Sequence, residues 1–75
     1  MINEIIVKNI AENYLNKNCK GEYYIVSIKL RKEQMNYELY ELNVFERNFY
    51  GQPNNYLLYV DSNGIITDAS RDLLN

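Results

Sequence analysis

The first part of the chain carries apolar residues at helical spacing. Over residues 2–15 they recur every three or four positions, and the polar residues among them fall mostly on the opposite side of the helix. Asn3 is a suitable N-cap, and residues 18–21 combine the polar side chains and the glycine that commonly end a helix. The pattern therefore predicts one amphipathic helix over residues 2–15.

The remainder of the chain alternates between apolar and polar residues, as strands with two different faces do. Residues 61–64, Asp-Ser-Asn-Gly, form a tight-turn sequence, and the Ile-Ile-Thr segment that follows at 65–67 predicts a short returning strand. A last helical turn through residues 73 and 74, capped by Asp68 or Ser70, is expected after it. The three longer predicted strands cover residues 23–30, 37–46 and 56–60.

These elements predict a single α+β domain over residues 1–75. The N-terminal helix is expected to pack on an antiparallel sheet of three to four strands, with a short C-terminal helical turn at the end. A helix of about four turns covers roughly one face of a small sheet. The second face of the sheet is therefore the place where we expect a partner to dock.

Alternation in the first two strands assigns their side chains to the two faces. Positions 24, 26, 28 and 30 of the first strand and 40, 42 and 44 of the second are expected beneath the helix. Outward tyrosines have three interpretations: stabilising cross-strand pairs, a homodimer through this face or an edge strand, or docking onto a different protein. The outward candidates for partner binding are Tyr23, Ile25, Tyr37 and Leu39.

The predicted loop over residues 46–55 is a second candidate contact. It is longer than a hairpin needs, and extra length in a small domain is often functional. Phe49 and Tyr50 are suitable interface anchors, and Arg47 flanks them. The alternative is that both aromatic side chains fold back over the end of the core.

The chain lacks the residues that most catalytic and metal sites use. It has no histidine, and its one cysteine, Cys19, follows a predicted helix C-terminus, where the helix dipole disfavours a thiolate. The three glycines stand singly and form no phosphate-binding loop, and the turn at residues 61–64 lacks the spacing of a calcium loop. We expect no catalytic, cofactor-binding or metal-binding residues, no cofactor and no enzymatic activity.

Charge and apolar runs limit the partners and the location that we expect. The net charge is −2, and the lysines and arginines fall at a helix end and a turn rather than along one surface, so nucleic acid is not an expected partner. No run approaches the roughly 20 apolar residues of a membrane span, and the N-terminus has no basic signal-peptide segment. An unpaired cysteine favours a reducing compartment, so we expect a cytoplasmic protein.

The segment at residues 59–66 reads Tyr-Val-Asp-Ser-Asn-Gly-Ile-Ile. With the helix and two strands before it, this segment resembles a PepSY-type module, in which a helix packs on a small meander whose last hairpin carries a V-D-x-x-G-x-hydrophobic signature. The resemblance extends over residues 2–69. It implies a helix-plus-meander fold and an inhibitory or regulatory role, often in an exported protein. The chain differs in having no export signal and in its loop at residues 46–55.

Together these observations predict a non-enzymatic protein-binding module that acts as a small inhibitor or regulator of a larger protein. Asn, Ile, Lys and Tyr are abundant and have AT-rich codons, which indicates a low-GC bacterium or one of its phages or mobile elements. A small domain without catalytic chemistry fits a phage or mobile-element anti-defence protein of the anti-CRISPR kind, acting in the host-cell cytoplasm. The alternative is a homodimeric structural or scaffold domain with no outside target.

Overall fold

The fold is one helix packed on a four-stranded antiparallel meander, in a computed structural model that describes residues 3–47 and 53–73. The strands lie in the order in which they occur along the chain, so each pairs with its neighbour in sequence. The predicted α+β class, with one N-terminal helix and an antiparallel sheet, is confirmed. The elements are α1 (Glu4–Asn18), β1 (Tyr23–Glu33), β2 (Tyr37–Glu46), β3 (Pro53–Asp61) and β4 (Ile66–Leu73).

Helix α1 begins at the predicted cap. The side-chain oxygen of Asn3 accepts a hydrogen bond from the backbone N–H of Ile6 at 2.9 Å, which satisfies one of the free donors of the first turn. Val7, Ala11 and Leu15 are spaced four residues apart and are buried against the sheet. The helix therefore meets the sheet through one stripe.

Strands β2 and β3 form the regular centre of the sheet. Their side chains alternate between buried and partly exposed along the whole pairing, which has no register shift. The buried set faces α1 and forms the core with the three buried helix residues. Its members in the two strands are Tyr40, Leu42, Val44, Tyr56, Leu58 and Val60.

Strand β1 differs from the prediction in its first half. A β-bulge interrupts its pairing with β2 between Ile25 and Ser27. Because the bulge adds one residue to β1, side chains before the bulge point to the face opposite to the one that simple alternation predicts. Ile28 faces the core as predicted, but Tyr23 and Ile25 also pack against the core. The prediction that Tyr23 and Ile25 face outward is wrong, because alternation alone does not reveal a bulge. Three of the four β1 residues that were predicted beneath the helix are exposed, namely Tyr24, Val26 and Leu30.

The turn between β3 and β4 has the predicted geometry. The side-chain carboxylate of Asp61 accepts hydrogen bonds from the backbone N–H groups of Asn63 at 2.9 Å and Ile65 at 3.0 Å. Gly64 has a φ of +81°, a conformation that residues with a Cβ rarely adopt, and its N–H bonds to the carbonyl oxygen of Asp61. This side-chain and backbone bonding fixes the direction in which the chain returns.

The chain continues after this turn as a strand where a C-terminal helical turn was predicted. Asp68 and Ser70, the expected helix caps, lie in β4 opposite Tyr59 and Leu57 of β3. Backbone N–H and C=O groups at the free edge of β3 form hydrogen bonds with alternate residues of this segment. These hydrogen bonds outweigh the weak strand propensity of Asp and Ser. The helical turn is therefore wrong up to residue 73, and residue 74 lies outside the described residues.

Candidate functional site

The sheet has a second face, on the side away from α1, and we call it the open face. Of the helix and strands described, none packs on this side, and the side chains of β2 and β3 that point there are partly exposed. Its central residues are Tyr37, Leu39, Glu41, Asn43 and Phe45 of β2, and Pro53, Asn55, Leu57, Tyr59 and Asp61 of β3.

An apolar cluster occupies one half of the open face. Leu39 lies directly opposite Tyr59 across the β2–β3 pairing, and the rings of Tyr37 and Tyr59 are 5.5 Å apart, with their planes tilted by 51°. Leu57 extends the cluster along β3. Tyrosine combines a large apolar ring, a polar tip and few rotatable bonds, which suits it to contacts with another macromolecule.

The other half of the open face carries a second aromatic contact point. Tyr24 of β1 lies opposite Phe45 of β2, and these side chains are 66% and 40% exposed. A polar pair separates them from the apolar cluster, because the side-chain amide of Asn43 donates to that of Asn55 at 3.0 Å. The open face therefore presents two apolar areas with a polar strip between them.

Charge is unevenly distributed over the open face. Lys29 and Lys32 lie on β1, together with Arg31, which forms an ion pair with Glu41 at 3.4 Å. The opposite side carries acidic groups, Asp61 at the end of β3 and Asp68 on β4. The face is therefore basic along one edge strand and acidic toward the other, a contrast that a partner can recognise. One row of paired residues crosses all four strands near the end of the sheet at which β1 connects to β2, and we call it the charged row. Its members are Lys32, Leu39, Tyr59 and Asp68.

Two of the predicted partner-binding residues, Tyr37 and Leu39, lie together on the open face. The other two predicted on this face do not join them. The hydroxyl of Tyr23 donates to the side-chain oxygen of Asn16 in α1 at 2.8 Å, and Ile25 packs against the core. Tyr23 and Ile25 therefore lie on the helix side of the sheet.

The predicted loop over residues 46–55 is too long, because Glu46 belongs to β2 and residues 53–55 belong to β3. Of its three candidate contact residues, the structure describes Arg47. Arg47 is exposed and its guanidinium lies 3.0 Å from the carboxylate of Glu22, in an ion pair on the surface that contributes little to stability. Phe49 and Tyr50 lie outside the described residues.

A buried polar cluster lies where β2 ends and β3 begins, on the helix side of the sheet. The carboxylate of Glu46, which is 5% exposed, accepts hydrogen bonds from the hydroxyl of Tyr56 at 2.7 Å and from the side-chain amide of Asn54. The Tyr56 hydroxyl uses its proton in this bond, so the Cys19 thiol, 3.5 Å away, is the donor to the Tyr56 oxygen. The guanidinium of Arg71 lies 3.8 Å from Glu46 at the edge of the cluster.

The electrostatics of this cluster favour a structural role. Burial raises the pKa of Tyr56 far above its usual range, and burial also raises the pKa of the Cys19 thiol. Burial opposes the charge of Glu46 as well, but the hydrogen bonds from Tyr56 and Asn54 outweigh it and lower the pKa of Glu46. The thiol and the phenol therefore stay protonated at neutral pH, and neither is an activated nucleophile.

The sequence analysis does not include the exposed aromatic residues Tyr24 and Phe45 among the partner-binding candidates, and it misses the whole of the buried cluster. Tyr24 was assigned to the wrong face because of the bulge that follows it. The sequence analysis predicts a loop at Asn54, although the alternation of Asn54, Tyr56 and Leu58 continues the pattern of β3 toward its start. That continuation was the available signal for the cluster.

Comparisons with protein families, with curated proteins and with solved structures found no match for this chain. The resemblance to PepSY-type modules therefore stays a prediction. Of the residues that the structure describes, no helix has the length and apolar character that a membrane span requires. Within the same residues, no group of three or more acidic or cysteine side chains is placed to hold a metal ion.

Proposed function

We propose that this protein is a non-enzymatic protein-binding module that contacts its partner through the open face. The observation that carries the proposal is the apolar cluster around Leu39 and Tyr59, on a sheet face that the described helix and strands leave uncovered. A partly exposed cluster of this kind, bordered by charged residues, is typical of surfaces that bind other proteins.

The size of the open face fits a modest protein interface. Four strands spaced by about 4.8 Å, each contributing about eight residues, give a footprint of about 500 Å² per partner. An interface of about 1,000 Å² in total is at the lower limit for specific association. Binding through this face alone is therefore expected to be reversible, with the aromatic residues contributing most of the affinity.

The proposal includes a role as a small cytoplasmic inhibitor or regulator of a larger protein. The abundance of Asn, Ile, Lys and Tyr, whose codons are AT-rich, supports an origin in a phage or mobile element of a low-GC bacterium. The lack of histidine supports an anti-defence protein over an enzyme. The resemblance to PepSY-type modules supports a regulatory role independently. Partner binding by the loop through Phe49 and Tyr50 belongs to the same proposal.

The test is a comparison of captured proteins between wild type and a variant of the open face. We expect tagged wild-type protein to retain one stoichiometric partner from a low-GC bacterial lysate, and Leu39→Lys to lose it, because a charge in the centre of the apolar cluster prevents desolvation. Ile5→Lys is the matched control, since Ile5 is 73% exposed on α1, on the opposite side of the molecule.

Both variants are checked for folding by circular dichroism before capture. Equal recovery of the partner by folded Leu39→Lys and wild type would contradict binding through the open face. Loss of the partner in Ile5→Lys alone would move the binding surface to the helix.

A further inference from the structure

We infer that the open face pairs with the open face of a second copy of this chain, related by a two-fold axis parallel to the strands. The inference rests on the proposed function, because it names the occupant of the same surface when the larger protein is absent. The second copy and the larger protein then compete for the open face. Its basis is the distribution of charge over the four strands, which fits one of the two symmetric ways of stacking two such faces with their strands aligned.

The charged row carries opposite charges at its two ends. Lys32 of β1 and Asp68 of β4 are exposed and point to the open face, as Leu39 and Tyr59 between them do. Three strand spacings, about 14 Å, separate Lys32 from Asp68 within one copy, which is too far for an ion pair. A partner that bridges both ends must therefore present an acidic and a basic group at the same separation.

A second copy presents those groups when the axis runs parallel to the strands. This rotation places β4 of the second copy over β1 and β3 of the second copy over β2, and it leaves each residue in its own row. Lys32 then meets Asp68 of the second copy, and Leu39 packs on Tyr59 of the second copy. Each contact occurs twice because the pair is symmetric.

The other symmetric stacking has its axis across the strands, and it brings like charges together. It places β1 of one copy over β1 of the other, so Lys29 and Lys32 of both copies would share one side of the interface. Repulsion between these cations disfavours that arrangement. The charge pattern therefore favours the stacking whose axis runs parallel to the strands.

The geometry of stacked sheets accommodates this pairing. Sheets in an aligned sandwich cross at about 30°, which displaces the rows at the outer strands by about one residue. A lysine side chain is long and flexible enough to follow that displacement. Glu41 enters the interface with its charge already paired to Arg31 at 3.4 Å.

The test is a charge exchange across the predicted contact, measured by sedimentation equilibrium from about 10 µM to about 1 mM. We expect the wild type to dimerise in this range. Lys32→Glu and Asp68→Lys, each alone, should raise the dissociation constant by about tenfold, because each places two like charges opposite one another in every dimer. The double variant should return to within about threefold of the wild type, because the contact is re-formed with its charges exchanged.

Lys8→Glu is the matched control. It makes the same charge change as Lys32→Glu, but Lys8 is exposed on α1, on the other side of the sheet, so its dissociation constant should equal that of the wild type. Restoration in the double variant cannot come from a new contact within one copy, because the two positions are too far apart.

A wild-type protein that is monomeric throughout the range would overturn the inference. So would a dimer that the single exchanges leave unchanged, or one that the double exchange fails to restore. A monomeric wild type that still retains another protein through Leu39 would leave the proposed function in place and remove only the second copy. Loss of both would remove the open face from function altogether.

Discussion

Glu46 carries a charge at a position where the surrounding sheet buries apolar groups. Its side chain is almost fully buried, and donors from Tyr56 and Asn54 surround its carboxylate. These hydrogen bonds favour the ionised form, so the pKa of Glu46 lies below its ordinary value of 4.5. A carboxylate held in this way stabilises the folded chain only while it is ionised.

The pH dependence of stability follows from this shift. Because the folded pKa of Glu46 is lowered, its contribution is complete above the ordinary pKa and is lost as the pH falls through the folded pKa. We expect Glu46→Gln to lower the free energy of unfolding by about 1–3 kcal/mol at neutral pH, because a buried donor loses its charged acceptor. The difference from wild type should shrink as the pH falls below 4.5, the ordinary pKa of the group, and urea unfolding at several pH values measures it.

Glu22→Gln is the control for this experiment. Its carboxylate is exposed and paired only with Arg47 at the surface, so the change should stay within about 0.5 kcal/mol at every pH. A difference between Glu46→Gln and wild type that stays constant down to acid pH would show that the charge of Glu46 does not contribute.

Among the elements, α1 and the turn before β4 were predictable because their signals are local. Asn3 caps the helix, and Asp61 and Gly64 form the turn through atoms within four residues of one another. No distant part of the chain is needed to specify either feature. Their chemistry can therefore be read directly from short stretches of sequence.

The positive φ of Gly64 gives a test at this scale. We expect Gly64→Ala to lower the free energy of unfolding by about 1–2 kcal/mol, because a Cβ is strained in that conformation whatever the space around it. Gly21→Ala is the matched control, since Gly21 is exposed and is not among the described glycines with positive φ. Urea unfolding of both variants measures the difference, and an equal cost at the two glycines would contradict the argument.

The features that the sequence analysis missed depend on pairing between strands. The bulge that turns Tyr23 and Ile25 toward the helix exists only in the register of β1 against β2. The strand at Asp68 exists because β3 has a free edge, although Asp and Ser at these positions favour other structures. Alternation predicts the face of Tyr37 and Leu39 correctly because the pairing of β2 with β3 has no register shift. It fails for Tyr24 because a bulge follows that residue in β1.

At the scale of the whole molecule, every strand pairs with the strand next to it in sequence. Only short connections have to close before each pair can form, and such local topology folds quickly. We expect a single refolding phase with a time constant on the order of 10 ms at low micromolar concentration. Stopped-flow tyrosine fluorescence can follow it, since the chain has eight tyrosines and no tryptophan.

Far-UV circular dichroism in the same mixing experiment provides the control. Coincident phases from the two probes would support a two-state reaction. A major phase on the scale of seconds would show that strand register, rather than chain closure, limits folding.

The register shifts in the sheet all lie in its two outer strands. β1 has extra residues beside Ile25 and Leu30, β4 has one beside Ile66, and the pairing of β2 with β3 has none. A bulge disrupts the row of free backbone donors and acceptors that a strand from another molecule would need. Two copies that meet edge to edge therefore cannot align their backbone donors and acceptors along the whole strand. A two-fold pair through the open face, in contrast, leaves no open face to which a third copy could add. This arrangement of irregular edges and a regular centre favours closed association over fibre growth.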